Sequence, residues 1–190
     1  MAGSIQLRAD ARDNRDRIVE VAGAVFGEMG TTISMTDIAR RAEVGVATLF
    51  RRFPTKESLV DAVFTATVER WLGRLAESLA KSDAWVEMKQ MIEEIAAEQA
   101  RHPACADMMV TSFLHGDGFV RERQIVADGF EELIRRSKIN ADVVSDLEWL
   151  DIALLMEANA GVVMAADHDA KGASSRLTRR LLDAFQPSRT

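Results

Sequence analysis

The sequence predicts an all-α protein, and two observations support this class. Apolar residues recur at helical spacing along most of the chain, whereas no segment shows sustained β alternation. There are 3 prolines and 11 glycines in 190 residues, a scarcity that favours long uninterrupted helices. The chain is 47% apolar and 28% charged, which is the balance of a globular protein, and its length allows one domain or a small domain joined to a larger one.

The amino-terminal part contains an amphipathic helix that is predicted to end at Met29. Its apolar residues lie at i, i+4, i+7, i+8 and i+11, and they are Ile18, Ala22, Val25, Phe26 and Met29. Gly30 follows directly, where a helix C-cap favours a residue that tolerates a positive φ angle. We therefore expect the first helix to stop at this glycine.

Two short helices separated by a tight turn are predicted next. Ser34, with Asp37 three residues later, is predicted to N-cap a helix over 35–42. A second helix is predicted over 46–53, and it ends before Pro54 because proline disfavours helical backbone in the preceding residue.

A long helix capped by Thr55 is predicted to carry the boundary between two domains, so we expect no flexible linker between them. The predicted domains are 1–60 and 61–190. Five further helices are predicted in the second domain, over 83–101, 103–114, 119–137, 146–167 and 173–185.

The segment 34–53 has the geometry of a helix-turn-helix, in which the second helix enters the DNA major groove and the first lies across the backbone. That groove is ~12 Å wide, so residues at the start of the second helix must be small or slender for close approach. Residues that suit the close approach are Gly45, Val46, Ala47 and Thr48, and those that could reach bases or phosphates are Arg51, Arg52 and Lys56.

The charge distribution supports a basic contact surface on an acidic protein. The net charge is −6. The first 60 residues nevertheless carry nine basic and eight acidic residues, whereas the remaining 130 carry 15 and 22. The segment from Ser34 to Lys56 contains five basic and two acidic residues.

The run SMTDIARRAEVGVATLFRRFPTKESL, from Ser34 to Leu59, resembles the DNA-binding signature of TetR-family transcriptional regulators, and the likeness extends back to Arg15. The resemblance implies a homodimer whose amino-terminal three-helix DNA-binding domain is continuous with a carboxy-terminal helical domain for ligand binding and dimerisation. It also implies that Arg12 or Arg15 touches the DNA backbone or minor groove. Ile38, Leu49 and Phe53 are then core residues.

The chain departs from this family's pattern at three positions. It has Glu43, Phe50 and Arg52 where the family usually has Gly, Tyr and His. Phe50 has no hydroxyl for a phosphate hydrogen bond, and Arg52 offers a charge-assisted contact instead. The DNA-contacting set that the resemblance implies is Thr36, Gly45, Val46, Ala47, Thr48, Phe50, Arg51, Arg52 and Lys56.

Eight residues of the second domain are candidates for a small-molecule site. Thioethers repack around varied ligands, and a buried amide must find a hydrogen-bond partner. The same side chains could instead fill the core, and Asn159 could bond across a subunit interface, so both alternatives stay open. The candidates are Trp85, Met88, Met91, Met109, Phe113, Phe130, Met156 and Asn159.

The last two long helices are predicted to form a homodimer interface. Ala158, Ala160, Gly161 and Ala165 are small, which lets a helix of a second subunit approach closely. Two pairs of helices would then form a four-helix interface.

Several function classes are not expected. The single cysteine, Cys105, excludes an intramolecular disulfide framework and a Cys-rich zinc site. The three histidines lack ligand spacing, so we expect no metal and no cofactor. No P-loop, dinucleotide fingerprint or nucleophile elbow occurs, so we do not expect an enzyme. No signal peptide or membrane-spanning stretch is visible, which predicts a cytoplasmic protein without a membrane partner.

The sequence therefore predicts a ligand-responsive DNA-binding transcriptional regulator, most often a repressor in the family it resembles. Its predicted partners are a double-stranded, pseudo-palindromic DNA operator, a small-molecule effector and a second copy of the chain. The alternative is a helical small-molecule carrier or protein-interaction module that no longer binds DNA. The acidic second domain and Phe50 give that alternative some support.

Overall fold

The computed structural model describes residues 2–166 and 168–187, with side chains from residue 14 onward except at 104, 105, 107 and 108. These residues form nine α-helices and one short 3-10 helix, and no strand, which confirms the all-α prediction. The helices are α1 (Ala2–Met29), α2 (Met35–Arg41), α3 (Val46–Arg52), α4 (Lys56–Leu79), α5 (Ala84–Arg101), α6 (Pro103–His115), the 3-10 helix (Asp117–Phe119), α7 (Val120–Ile139), α8 (Trp149–Ala165) and α9 (Ala170–Ala184).

The chain divides into two compact units, Met1–Thr67 and Val68–Thr190. The division falls inside α4, which contributes residues 56–67 to the first unit and 68–79 to the second. Each unit has its own set of buried apolar side chains.

Helix α1 is longer than its apolar pattern predicts. The period begins at Ile18, whereas the helix begins at Ala2. Its end is as predicted, because Gly30 has a φ of 71° and its N–H donates to the Phe26 carbonyl at 2.9 Å.

The core of the first unit joins α1, α2, α3 and the start of α4. Isolated helices shorter than about 12–15 residues are marginal in water, so the seven-residue α2 and α3 depend on this burial. The predicted core positions Ile38, Leu49 and Phe53 are confirmed. The buried side chains include Ile18, Ala22, Phe26, Ile38, Ala39, Leu49, Phe53 and Leu59.

In the second unit, α5 packs against α6, α7, α8 and α9. Its buried face joins side chains of α7 and α8 in one apolar cluster. Fully buried members of that cluster include Met88, Met91, Ile92, Phe130, Leu133 and Ile152.

Local capping sets where α8 and α9 begin. Helix α8 starts three residues later than predicted because Glu148 and Asp151 form a reciprocal capping box, with the Glu148 N–H donating to Asp151 Oδ2 at 2.9 Å. Helix α9 starts three residues earlier than predicted, since Asp169 accepts from the Gly172 N–H at 2.9 Å.

An arginine of α7 closes the carboxy-terminal end of α4. Arg136 donates to the Leu79 carbonyl at 3.0 Å and to the Ser82 carbonyl at 3.0 Å, and it also donates to the Lys81 carbonyl. The last carbonyls of a helix lack intrahelical partners, so the guanidinium satisfies groups that would otherwise need water.

The buried carboxylate of Glu87, on α5, pairs with two cations of the second unit. Lys81 Nζ lies 2.9 Å from Glu87 Oε1, and Arg74 Nη1 lies 3.3 Å from Glu87 Oε2. The hydrogen bond from Lys81 lowers the pKa of Glu87 most, burial opposes this, and Arg74 lowers the pKa further. The folded state therefore favours the charged form of Glu87.

We expect Glu87→Gln to lower the free energy of unfolding at pH 7 and the difference from the wild type to shrink in acid. Because the folded-state pKa of Glu87 lies below its ordinary value of 4.5, this contribution is present above that pH and is lost as the pH falls through the lowered pKa. Urea unfolding of both proteins across this range measures the difference.

The control is Glu77→Gln, which changes an exposed carboxylate of α4. Its difference from the wild type should not vary in the same way with pH. A difference for Glu87→Gln that stays constant from pH 7 to about pH 3 would contradict the assignment.

Candidate nucleic-acid interface

The first helix of the predicted helix-turn-helix is capped as expected. Ser34 Oγ accepts from the Asp37 N–H at 3.1 Å and donates to Asp37 Oδ2 at 2.7 Å. The Ser34 hydrogen bond lowers the pKa of Asp37 most, and Arg40, at 3.5 Å, lowers it further. The charged Asp37 carboxylate lies in the first turn of α2, where the helix dipole favours negative charge.

The turn between α2 and α3 depends on one residue in a left-handed conformation. Glu43 has a φ of 54°, and its N–H donates to the Arg40 carbonyl at 3.2 Å. The next N–H, of Val44, donates to the Ala39 carbonyl at 3.0 Å. The chain thus makes this turn with a Cβ-bearing residue, at a backbone angle that glycine adopts more readily.

Helix α3 has one buried and one exposed side. Leu49 is 0% exposed, whereas Val46 and Phe50 on the other side are 41% and 44% exposed. Among the residues expected at DNA, seven are exposed and two, Thr48 and Lys56, are half-buried. The exposed ones are Thr36, Gly45, Val46, Ala47, Phe50, Arg51 and Arg52.

Lys56 is held at the start of α4 by a contact that the sequence does not reveal. Its Nζ donates to the Thr31 carbonyl at 2.9 Å. The cap of this helix is the predicted one, because the Ser58 N–H donates to Thr55 Oγ1 at 3.1 Å. An ammonium has three donors, so Lys56 keeps two for another acceptor.

An arginine of α1 also lies beside the helix-turn-helix. Arg15 Cζ lies 5.7 Å from the centroid of the Phe53 ring, within cation–π range. Arg15 is also 3.6 Å from the Asp16 carboxylate. The Arg12 side chain, named with Arg15 as a possible backbone contact, lies outside the described residues.

The four arginines of α2 and α3 differ in their partners. Arg40 pairs with Asp37, and Arg41 Nη2 lies 3.4 Å from Met29 Sδ. Arg51 and Arg52 are exposed and form no ion pair with any side chain that the structure describes. The two guanidiniums of α3 are therefore available to an external anion.

Most of the residues proposed for a small-molecule site lie in the second unit's core. Trp85, Met88, Met91, Phe130 and Met156 are members of the apolar cluster, and Phe113 packs against it. Phe113 and Met109 are half-buried. A binding role for this set stays a prediction.

Asn159 lies inside its own subunit. It is 0% exposed, and its Nδ2 donates to Gln99 Oε1 at 2.5 Å and to the Ala96 carbonyl at 3.4 Å. This burial contradicts the alternative in which Asn159 bonds across a subunit interface. The expectation for Ala160 was also wrong, since it is 1% exposed and packs against Ala100 and Ala106.

Gln99 is the polar residue of this region that the sequence analysis missed. Its Nε2 donates to the Met156 carbonyl at 3.2 Å, while its Oε1 accepts from Asn159. The sequence does not reveal this contact, because nothing in the pattern of α5 indicates that Gln99 bonds a residue 60 positions later in the chain.

The described residues include no candidate metal centre. No group of three or more His, Cys, Asp or Glu side chains there could hold a metal ion. His102 lies at the boundary of α5 and α6, as predicted, and His115 pairs with Glu157 at 2.5 Å. The side chain of Cys105 lies outside the described residues. Among the described helices, none has the length and apolar character needed to cross a bilayer.

Comparisons with known proteins agree with this geometry. The model of a family described as "Bacterial regulatory proteins, tetR family" matches residues 18–63. The HTH-type transcriptional regulator UidR of Escherichia coli K12 is 28% identical over 132 residues, covering 62% of this chain and 67% of UidR. A TetR transcription regulatory protein from Mycobacterium vanbaalenii has a TM-score of 0.71 and 27% identity, covering 95% of this chain and 99% of that one. The TetR transcriptional regulator SCO0520 from Streptomyces coelicolor has a TM-score of 0.68 and 25% identity, covering 92% and 99%.

We expect Glu43→Gly to raise the free energy of unfolding by about 0.5–1 kcal/mol, because glycine adopts a positive φ without the Cβ clash. Urea unfolding of the full chain measures this change. Glu43→Ala is the matched control, since it removes the charge and keeps the Cβ. Equal stabilisation by alanine and glycine would show that the charge of Glu43, and not its backbone conformation, is unfavourable.

Proposed function

The chain belongs to the TetR family of DNA-binding transcriptional regulators, and we propose that within this family it is a ligand-responsive repressor that a small molecule releases from a pseudo-palindromic operator. Like the relatives that it matches, it is a transcriptional regulator and not an enzyme.

The observation that carries the proposal is the division of α3 into two sides. Leu49 and the following Phe53 are buried in the first unit, while Val46, Phe50 and Arg51 face outward. Because its buried side is fixed, α3 presents its exposed side, which we call the α3 edge, in a defined orientation. The small residues at its start, Gly45 to Thr48, suit close approach to base edges in the major groove.

Phosphate contacts in this proposal come from cations on either side of that edge. Lys56 is oriented by the Thr31 carbonyl and keeps two donors free, and Arg52 is exposed without an ion pair among the described side chains. Phe50 cannot donate to a phosphate. Its exposed ring suits an apolar contact, such as that with a thymine methyl group.

A homodimer would place two such edges in successive major grooves ~34–36 Å apart. The exposed side of α8 supports this assembly, because apolar and small residues run along it at helical spacing. These residues are Leu150, Leu154, Ala158, Gly161, Met164 and Ala165. An exposed apolar stripe of this kind is typical of a surface that another chain covers.

The effector in this proposal acts by preferring one conformation. A 100-fold loss of operator affinity requires that the ligand favour the non-binding state by ~2.7 kcal/mol. The proposed site is the set around Trp85, Met88 and Phe130 in the apolar cluster of the second unit. Asn159, the polar candidate, bonds Ala96 and Gln99 and so lies toward the other end of α5 from Trp85. Its Oδ1 is buried and has no hydrogen-bond partner in the described part of the chain, which leaves it able to accept from a polar group.

The variants Lys56→Ala and Arg51→Ala test the DNA contacts. Binding is measured by gel shifts with fragments of the source genome, including the region upstream of this chain's own gene. We expect Lys56→Ala to weaken binding to all duplexes similarly and to reduce the salt slope by about 1, because a phosphate contact is lost. We expect Arg51→Ala to weaken specific binding by about 1–3 kcal/mol, because a base contact is lost.

Arg121→Ala is the control, since Arg121 is an exposed cation of α7 in the other unit. Circular dichroism checks that each variant keeps its helices. If the wild type retains no genomic fragment even at low salt, the proposal fails and the carrier or protein-interaction alternative is favoured.

Gly161→Asp tests the dimer. A Cβ at Gly161 would meet no atom within 4 Å, so the backbone there accepts a side chain, and aspartate places a charge on the exposed stripe of α8. We expect monomers by light scattering. Gly73→Asp is the matched control, because Gly73 is also helical, exposed and open within 4 Å, and it should stay dimeric. If Gly161→Asp remains a dimer, the proposal that the exposed side of α8 forms the interface is wrong.

A further inference from the structure

A cavity of about 550 Å³ lies along the junction of α5 and α9 in the second unit. Ligand pockets are typically about 300–1,000 Å³, so this volume suits a small molecule. Its walls come from residues 89–101 of α5 and 171–183 of α9. The apolar cluster that contains Trp85 and Phe130 does not form these walls, apart from Leu182.

The two helices run antiparallel along the cavity. Leu182, near the end of α9, shares a cluster with Trp85 and Met88 at the start of α5. Ala170, at the start of α9, packs in a second cluster with Ala100 near the end of α5. The cavity is therefore a groove about 18 Å long, since each wall spans twelve helical steps. Arg101 and Lys171 lie at the same end of it.

The floor of the groove is apolar. Ala96, Ala100 and Leu182 line it and are 2%, 6% and 2% exposed. Exposed charged side chains line the groove above this floor. An apolar floor with a charged rim matches a ligand that has an apolar chain and one charged group.

The rim has an excess of positive charge. Lys89, Arg101, Lys171 and Arg179 line the groove together with two acids, Glu93 and Asp183. None of these four cations forms an ion pair with a described side chain, although Arg101 Nε donates to the Ala97 carbonyl at 3.3 Å. Unpaired cations above an apolar surface favour an anion.

The wall also contains a hydroxyl without a partner. Thr178 lines the groove and is 3% exposed, and its Oγ1 has no hydrogen-bond partner in the described part of the chain. The neighbouring Ser174 differs, because its Oγ donates to the Ala96 carbonyl at 3.2 Å. A buried hydroxyl without a partner is unfavourable, so a polar ligand atom that bonds Thr178 Oγ1 would stabilise the bound state.

We propose that the groove between α5 and α9 binds an anionic amphiphile, with its anionic head group at the end marked by Arg101 and Lys171 and its apolar chain over Ala96, Ala100 and Leu182. This site is distinct from the proposed effector site in the core cluster. It does not depend on DNA binding, so failure of one proposal leaves the other standing.

The test uses the full chain labelled with ¹⁵N and the probes octanoate and octylamine, which share an eight-carbon chain and carry opposite charges. We expect octanoate to cause saturable amide shifts concentrated in residues 89–101 and 171–183. We expect octylamine to bind at least fivefold more weakly. Equal binding of the two probes, or shifts centred outside these ranges, would overturn the proposal.

Arg101→Gln and Lys171→Gln should each weaken octanoate binding at least fivefold, because each removes a cation of the head-group end. Both residues are exposed, so the fold should tolerate the changes. Arg121→Gln removes an exposed cation of α7, away from the groove, and should bind octanoate like the wild type. The same affinity in all four proteins would overturn the proposed head-group position and the anionic site with it.

Discussion

Burial of one side of a two-turn helix is the constraint on which the rest of the first unit depends. Helix α3 has seven residues, too few to be stable in water without tertiary contacts. Leu49 and Phe53 attach it to the core that α1 and α2 also contribute to. This attachment fixes both the position and the rotation of α3, and the rotation decides that Val46, Phe50 and Arg51 face outward.

Several cations of the first unit are not neutralised within the protein. Lys56 donates to a backbone carbonyl, and Arg51 and Arg52 form no ion pair with a described side chain. Arg15 differs, because it lies against the face of the Phe53 ring and also 3.6 Å from the Asp16 carboxylate. In the second unit the reverse holds, because Arg74 and Lys81 surround the buried Glu87 carboxylate and their charge is balanced within the protein. The difference explains how an acidic chain keeps a surface that suits a polyanion.

Much of the fold could be predicted from the sequence because its determinants are local. Apolar spacing, Ser34, Thr55 and Gly30 mark helix faces and ends, and the structure has them where expected. The first half of α1 lacks an apolar period, so its helix could not be predicted. The left-handed conformation of Glu43 could not be predicted either, because a glutamate by itself gives no backbone signal. Contacts such as Lys56 with Thr31, and Asn159 with Gln99, join residues far apart in the chain and need the packed structure to be seen.

The arginine that closes α4 restricts how that helix can move. Arg136 of α7 donates to the carbonyls of Leu79, Lys81 and Ser82, at and just beyond the end of α4. Hydrogen bonds to a charged group contribute about 1.5–3 kcal/mol each, and a piston-like shift along the helix axis would break several together. The second-unit part of α4 is also paired with α5, because Arg70 pairs with Glu98 and Arg74 pairs with Glu87 and Glu94. Residues 68–79 of α4 are therefore held both at their end and along their length, and we expect them to move together with α5 and α7.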